Sequence, residues 1–240
     1  MKKIIIAAVA VSAVCAAFAA DDGKGASSNW RLSVGGYARG SMKLKSEGFG
    51  SIRSEAYGAD LDARYRAFQA GDFSLWAGLG GSFTPYQQLA TESYGSCRTY
   101  GRTTIEENAS AKANVSAGEF RLMLVPEYAL TERWSVAARV GVAFDWVRLQ
   151  YSARYWGSVT ASGSSPFTYG PVKESGKDTD FVTQAILGLE TTYMLTDNLG
   201  LYANIDYRCG GNATFKDEGD KVAELDMDGW YAGVGAVVTF

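Results

Sequence analysis

Apolar and polar or small side chains alternate over much of the chain with a period of two. That is the period of a β-strand, whose successive side chains point to opposite faces. Tyr57, Ala59, Leu61, Ala63 and Tyr65 alternate with Gly58, Asp60, Asp62, Arg64 and Arg66. Trp134, Val136, Ala138, Val140, Val142, Phe144 and Trp146 alternate with Ser135, Ala137, Arg139, Gly141, Ala143 and Asp145. The pattern predicts eight strands, over 30–44, 54–68, 73–83, 112–130, 134–151, 179–195, 199–210 and 227–240. In the fourth, Phe120, Leu122 and Leu124 hold one phase but Ala113 and Val115 the other, which predicts a bulge near Ala117-Gly118.

The connections alternate in length. Segments 69–72, 131–133 and 196–198 are short polar turns, whereas 45–53, 84–111, 152–178 and 211–226 are long. Three short turns interleaved with four long loops is the connectivity of an all-β, eight-stranded antiparallel up-and-down barrel. The fifth strand, at roughly 3.3 Å per residue, is ~59 Å long and rises ~45 Å at a tilt of ~40°, against an apolar membrane band of ~25 Å. The barrel wall is therefore expected to project beyond the membrane.

Alternation alone does not say which face is inside. A soluble lipocalin-like barrel turns its apolar face inward to hold a ligand. Three features favour a transmembrane barrel with the polar face inward. The apolar stripes start or end in aromatics: Trp30, Tyr57, Tyr65, Phe73, Trp134, Trp146, Phe181, Tyr193, Tyr207, Trp230 and Phe240. The opposite face is rich in Gly, Ser and charges of both signs. The final stretch places Trp230, Ala232, Val234, Ala236, Val238 and Phe240 on one apolar face. That stretch resembles the C-terminal signal of bacterial outer-membrane barrels, whose terminal Phe is read by the barrel-assembly machinery.

At the other end, Lys2-Lys3, the apolar run 4–14 and Ala17-Phe18-Ala19 read as a cleaved signal peptide over residues 1–20, leaving 21–240 as one barrel domain. Val14 before Cys15 makes a poor lipidation site. The 240 residues carry a formal charge of −3 with no basic cluster, so nucleic-acid binding has no electrostatic support. The chain contains no His. That excludes His-dependent hydrolases and removes the usual zinc ligand; no catalytic residue, metal or cofactor is expected. Gly78-Leu79-Gly80-Gly81 lies within a strand and is not a phosphate loop.

With the polar face inward, the lumen would hold Arg31, Arg39, Asp60, Asp62, Arg64, Arg66, Glu119, Arg121, Glu127, Arg139, Asp145, Glu190, Asp206 and Arg208. A small barrel's interior is filled by side chains, so these are expected to form a network of ion pairs. The alternative is a narrow ion-conducting path. The run Asp60-x-Asp62-x-Arg64-x-Arg66 places two arginines beside two carboxylates, which would keep both ionised. Cys97 and Cys209 fall on the same side of the membrane, leaving open a disulfide or two free thiols. The long loops carry Tyr86, Tyr94, Tyr100, Tyr155, Trp156, Phe167 and Tyr169 amid Ser and Gly, a composition shared by binding surfaces and ordinary loops. The fourth loop carries Asp217, Glu218, Asp220, Glu224, Asp226 and Asp228, an acidic rim that could share a divalent cation with lipopolysaccharide phosphates.

On this architecture and its C-terminal strand, the chain resembles the small outer-membrane barrels that include the OmpA transmembrane domain, OmpX and the opacity adhesins. The resemblance spans nearly the whole mature chain but no ligand motif. It implies an envelope-structural or adhesion-like protein, monomeric, surrounded by outer-membrane lipid and lipopolysaccharide, whose loops contact host or cell-surface ligands. No periplasmic domain is expected after Phe240. A low-conductance pore is the competing expectation.

Overall fold

The computed structural model describes residues 29–46, 50–217 and 220–240; the expected signal peptide, Cys15 and Glu218 lie outside them. The strands are β1 (Trp30–Ser46), β2 (Gly50–Ala70), β3 (Phe73–Tyr100), β4 (Thr103–Ala129), β5 (Trp134–Ala161), β6 (Phe167–Met194), β7 (Leu199–Cys209), β8 (Asn212–Asp217), β9 (Asp220–Asp226) and β10 (Gly229–Thr239). Strands β1 to β7 pair antiparallel in chain order, β7 pairs with β10, and β10 closes on β1 from Arg31↔Thr239 to Arg39↔Tyr231. Phe240 N–H donates to Trp30 O at 2.9 Å and Trp30 N–H to Phe240 O at 3.0 Å, so the last residue completes the seam. The result is a ring of eight antiparallel strands, with β8–β9 inserted as an extra hairpin.

The short turns form for local reasons. Gly71 supplies the positive φ (58°) between β2 and β3. In the other two, a Thr hydroxyl replaces the missing ladder acceptor. Thr131 Oγ1 accepts from Arg133 and Trp134 N–H, and Thr196 Oγ1 from Asn198 and Leu199 N–H.

The outside of the ring is apolar, with two aromatic girdles. Trp30, Tyr65, Phe68, Phe73, Tyr128, Trp134 and Tyr193 are exposed near the short turns, and Tyr57, Phe83, Phe120, Phe144, Trp146, Phe181, Tyr207 and Trp230 nearer the long hairpins. Neighbouring rings touch, as in Trp30–Tyr65 (5.1 Å between centroids) and Tyr207–Trp230 (5.2 Å). Trp134 and Trp146 on β5 are separated by ~40 Å of strand, or ~30 Å along the membrane normal at a tilt of ~40°, a match to the hydrocarbon thickness.

Three expectations are corrected. Segments 84–111 and 152–178 are not loops but the upper halves of β3–β4 and β5–β6, paired almost continuously to Tyr100↔Thr103 and Val159↔Phe167. Above the membrane no lipid belt demands apolar residues, so the alternation fades while the ladder continues. Segment 211–226 is likewise the folded hairpin β8–β9. The bulge expected in the fourth strand is absent: β4 pairs with β5 without a shift from Thr103 to Leu124, and the irregularities lie opposite, in β3, at Thr84/Gln87 and Gln88/Ala90. Val115 and Phe120 differ in phase because one faces the interior and the other the lipid, both apolar.

Candidate functional site: a filled lumen and a projecting wall

Seven carboxylates are buried inside the ring (Asp60, Asp62, Glu119, Glu127, Asp145, Glu190, Asp206), with six buried arginines (Arg31, Arg39, Arg64, Arg121, Arg139, Arg208) and the half-buried Arg66. Arg121 lies at the centre. Its guanidinium reaches Asp62 at 2.6 Å, Glu119 at 3.0 Å and Asp60 at 3.1 Å. Arg64 grips Glu190 with two bonds of 2.5 and 2.7 Å, and Arg139 joins Glu190 (2.5 Å) to Asp206 (3.0 Å). Arg208 pairs with Glu119 and stacks 3.8 Å over the Tyr231 ring. The planar, five-donor guanidinium suits this bridging, which a lysine could not reproduce.

Neutral side chains complete the network. Tyr202 donates to Asp60 at 3.2 Å, and Tyr37 bonds Thr84 and stacks on Tyr231 at 4.3 Å. Glycines make room: a Cβ on Gly80 would lie 1.9 Å from Asp62 Oδ1 and one on Gly58 2.6 Å from the Tyr37 ring. Charge along the sequence does not single out these tyrosines; Tyr202 and Tyr231 share the inward phase of Asp206 and of Gly233, which was the signal available for them.

Below this layer, at the short-turn end, Trp76 forms a floor. Arg31 and Arg66 lie against its ring at 4.2 and 4.8 Å, Trp76 Nε1 donates to Glu127 at 3.2 Å, and Arg31 grips Glu127 at 2.5 and 3.1 Å. Arg66 thus serves the floor and donates to Gln69 (2.6 Å), rather than holding Asp60 and Asp62.

Above the network the interior turns apolar. Met42, Leu44, Ala56, Leu89, Val115, Val147, Leu149 and Val182 project from the ring, and Ala213, Phe215, Ala223, Leu225 and Met227 come from the β8–β9 hairpin and its exit. Sequence reading missed this cap, because its residues were assigned to a loop or to the polar face. The hairpin fits because β7 and β10 stop early. β9 takes the place of β10 beside β1, from Lys43↔Asp226 to Ser46↔Ala223. On the other side, Thr214 N–H donates to Asp180 Oδ2 (2.7 Å) and Lys216 N–H to Asp178 Oδ2 (2.8 Å), so carboxylates stand in for a strand ladder. Gln184 and Arg39 both donate to Met227 O, tying cap to network.

The acidic rim is therefore partly spent on structure. Asp228 caps the turn at Gly210 and Gly211, Asp226 accepts from Asp228 N–H, and Glu224 pairs with Lys221 (2.6 Å) and Lys45 (3.7 Å). Lys221 and then Lys45 hold the Glu224 carboxyl below the usual range. Among the described residues no group of three or more His, Cys, Asp or Glu is placed to hold a metal.

Cys97 and Cys209 are exposed free thiols, which removes the disulfide alternative. Cys209 is joined laterally through Ala185, Val142 and Leu122 to Leu79 of β3. Cys97 lies a further roughly 60 Å of strand beyond Leu79. Of the C-terminal residues, Trp230, Val234 and Phe240 face outward and exposed, whereas Val238 is covered by Val34, Leu32 and Leu199.

The upper halves of β3–β6 continue past the cap as a four-stranded wall. Tyr94, Tyr100, Trp156 and Phe167 are exposed on it. At its tip a groove of about 660 Å³ is lined by Glu106, Arg154, Trp156 and Tyr169. A bulge between Tyr155 and Gly157 lays Tyr169 over Gly157, where a Cβ would meet its hydroxyl at 2.4 Å.

No protein-family model and no curated protein matches the sequence. Among solved structures, it is similar to Ail, the attachment invasion locus protein of Yersinia pestis, at 15% identity and TM-score 0.38, over 89% of this chain and 99% of that one. It is also similar to the outer membrane protein OprG of Pseudomonas aeruginosa (12%, TM-score 0.44, 89% and 96%) and to the outer membrane protease OmpT of Escherichia coli (11%, TM-score 0.42, 90% and 99%). The closed ring, the apolar exterior between two girdles and the charged interior are this chain's own geometry. The chain has the fold of a small outer-membrane β-barrel.

Proposed function

We propose that the protein resides in a bacterial outer membrane, exported with its signal peptide removed and inserted as a monomer by the barrel-assembly machinery. Its role there is surface interaction, through the wall above the membrane, with host or cell-surface ligands. The observation that carries this reading is the contrast between a closed interior and an elaborate exterior. Floor, network and cap fill the interior in three successive layers, while about half of each of β3–β6 lies above the outer girdle and presents aromatic side chains with Ser and Thr. Among the described residues, upper β3 beyond Phe83 and upper β6 before Ala185 have no strand-ladder partner on their outer side, edges that accept an added strand. A non-enzymatic role is supported by the absence of His.

The low-conductance pore is less well supported, because most of the lumen charges are paired with one another and apolar side chains lie above them. The test joins two measurements on one preparation. The mature protein, refolded into a planar bilayer, should insert without steady current. A variant shortened at both wall tips, 95–108 and 156–170, should still insert but lose binding to host extracellular matrix. Salt-dependent current steps from the full protein, or undiminished binding by the shortened one, would overturn the proposal.

A further inference from the structure

The groove of about 660 Å³ at the wall tip lies between strands whose backbones are already paired. There β4 is held by β3 and β5, and β5 by β4 and β6, so a ligand meets side chains rather than free ladder groups. Counted from the girdle residue Trp146, Arg154 and Trp156 stay on the outward phase of β5, with Ser110 and Asn108 opposite them on β4. Trp156 is the extra residue of the bulge and has no register partner on β6, a device that re-aims a side chain. Beside it Gly170 has a φ of 89°, and a Cβ there would lie 2.6 Å from Tyr155 O and 3.0 Å from Trp156 Cα. Gly95, the β3 neighbour of Asn108, likewise carries no side chain. Trp156 is 39% exposed as a result, an open indole face on a sheet.

Polar groups surround that face. Asn108, Ser110, Arg154 and Thr168 line the groove, and among the described residues none of these four side chains has a hydrogen-bond or ion-pair partner. Glu106 accepts from Ser158 through Oε2 (3.2 Å), which leaves Oε1 as an acceptor. Amide, guanidinium and carboxylate are planar groups that can each bond two adjacent hydroxyls. A pyranose ring carries adjacent hydroxyls at its rim and C–H bonds on its faces, and a flat indole receives the C–H face by dispersion. The one carboxylate and one guanidinium lining the groove cancel, so it has no net charge with which to hold a polyanion. A peptide strand would add at the outer edges of β3 and β6 instead. Trp156 is ten residues above Trp146, roughly 25 Å higher at a strand tilt of ~40°, well clear of phospholipid headgroups. We propose that this groove binds an uncharged pyranoside at the end of a glycan on an opposing cell surface. The sugar ring lies on Trp156, and its hydroxyls bond to Glu106, Asn108 and Arg154. The inference rests on the surface-interaction reading above and names its ligand class.

The test uses the full mature barrel in phosphatidylcholine nanodiscs, titrated with methyl β-galactoside, whose C3, C4 and C5 hydrogens share one ring face. Saturation-transfer NMR records which sugar protons approach the protein. In the wild type, transfer should concentrate on those three. Trp156→Ala, with its urea midpoint matched to wild type, should weaken binding by about tenfold or more, as loss of an aromatic anchor does. Trp156→Phe, which keeps an aromatic face, should lose less. Tyr94→Ala, on the opposite face of the wall, should change nothing. Heparin should not displace the galactoside. No transfer in the wild type, equal affinity of Trp156→Ala, or displacement by heparin would overturn the sugar site. Matrix binding is followed in parallel. If Trp156→Ala retains it while the tip-shortened variant loses it, the sugar site falls and the surface-interaction reading stands.

Discussion

Two parts of the interior lie on the same inward faces of the same strands and are built from opposite chemistry. On β4, Arg121 and Glu119 give way to Val115; on β5, Arg139 and Asp145 give way to Val147 and Leu149; on β6, Glu190 gives way to Val182. The charged part lies where the ring is closed by backbone ladders all round. The apolar part lies where β7 and β10 have ended and a hairpin fills the space. Buried charges need fixed partners, and a complete ladder holds those partners in register. A hairpin attached through four residue pairs on one side and two carboxylates on the other cannot hold charges so rigidly, so it is seated by non-directional packing. The network is thus part of the barrel's global stability, and the cap should open locally.

The sharpest way to break this contrast is Arg121→Met. It strips Asp60, Asp62 and Glu119 of their shared cation, and removing one partner of a buried pair costs roughly 3–5 kcal/mol. The urea midpoint of the whole barrel, followed in lipid vesicles, should fall accordingly; an unchanged midpoint would mean the network is incidental. Phe215→Ala removes a comparable amount, about 3–5 kcal/mol, from the cap. Its effect should appear as faster hydrogen exchange across β8 and β9, with the barrel midpoint shifted by less than about 1 kcal/mol. A full global loss would show that cap and barrel unfold as one.

Asp178→Ala/Asp180→Ala frees the cap's second attachment, at about 1.5–3 kcal/mol for each charged hydrogen bond. Exchange at the Thr214 and Lys216 amides should rise while those of β9 stay protected by β1; equal exposure of both strands would refute the hinge at β1. The smallest effect concerns Glu224, whose folded carboxyl is held low by Lys221 and Lys45. Its contribution is present above the ordinary carboxylate range and is lost as pH falls through the depressed folded value. Protection of the β9 amides, after allowance for the slower intrinsic exchange in acid, should therefore fall modestly on acidification, and Glu224→Gln should remove that dependence.

The eight strands of the ring, the outward girdles and the balance of lumen charge were legible in the residues because each depends on local alternation. The Thr131 and Thr196 turns were equally local. Less was legible where the same pattern serves two environments. Val115, Val147 and Leu149 are apolar like the lipid-facing residues beside them, so the phase change at Val115 looked like a bulge. The wall strands looked like loops because nothing apolar is required of them above the membrane. Arg66, four residues beyond Asp62 on the same face, turned to Trp76 instead.

Alternation by itself determined that each strand has one apolar and one charged face, because period two is a property of one strand at a time; the aromatic ends of the apolar stripes and the final strand pointed the charged face inward. Only the tertiary structure decided that Arg121 would join Asp60, Asp62 and Glu119, that Cys97 and Cys209 would lie far apart, and that an acidic loop would return as the lid of the lumen. Those outcomes depend on register and closure across the whole ring, where each strand's neighbours are set by all the others.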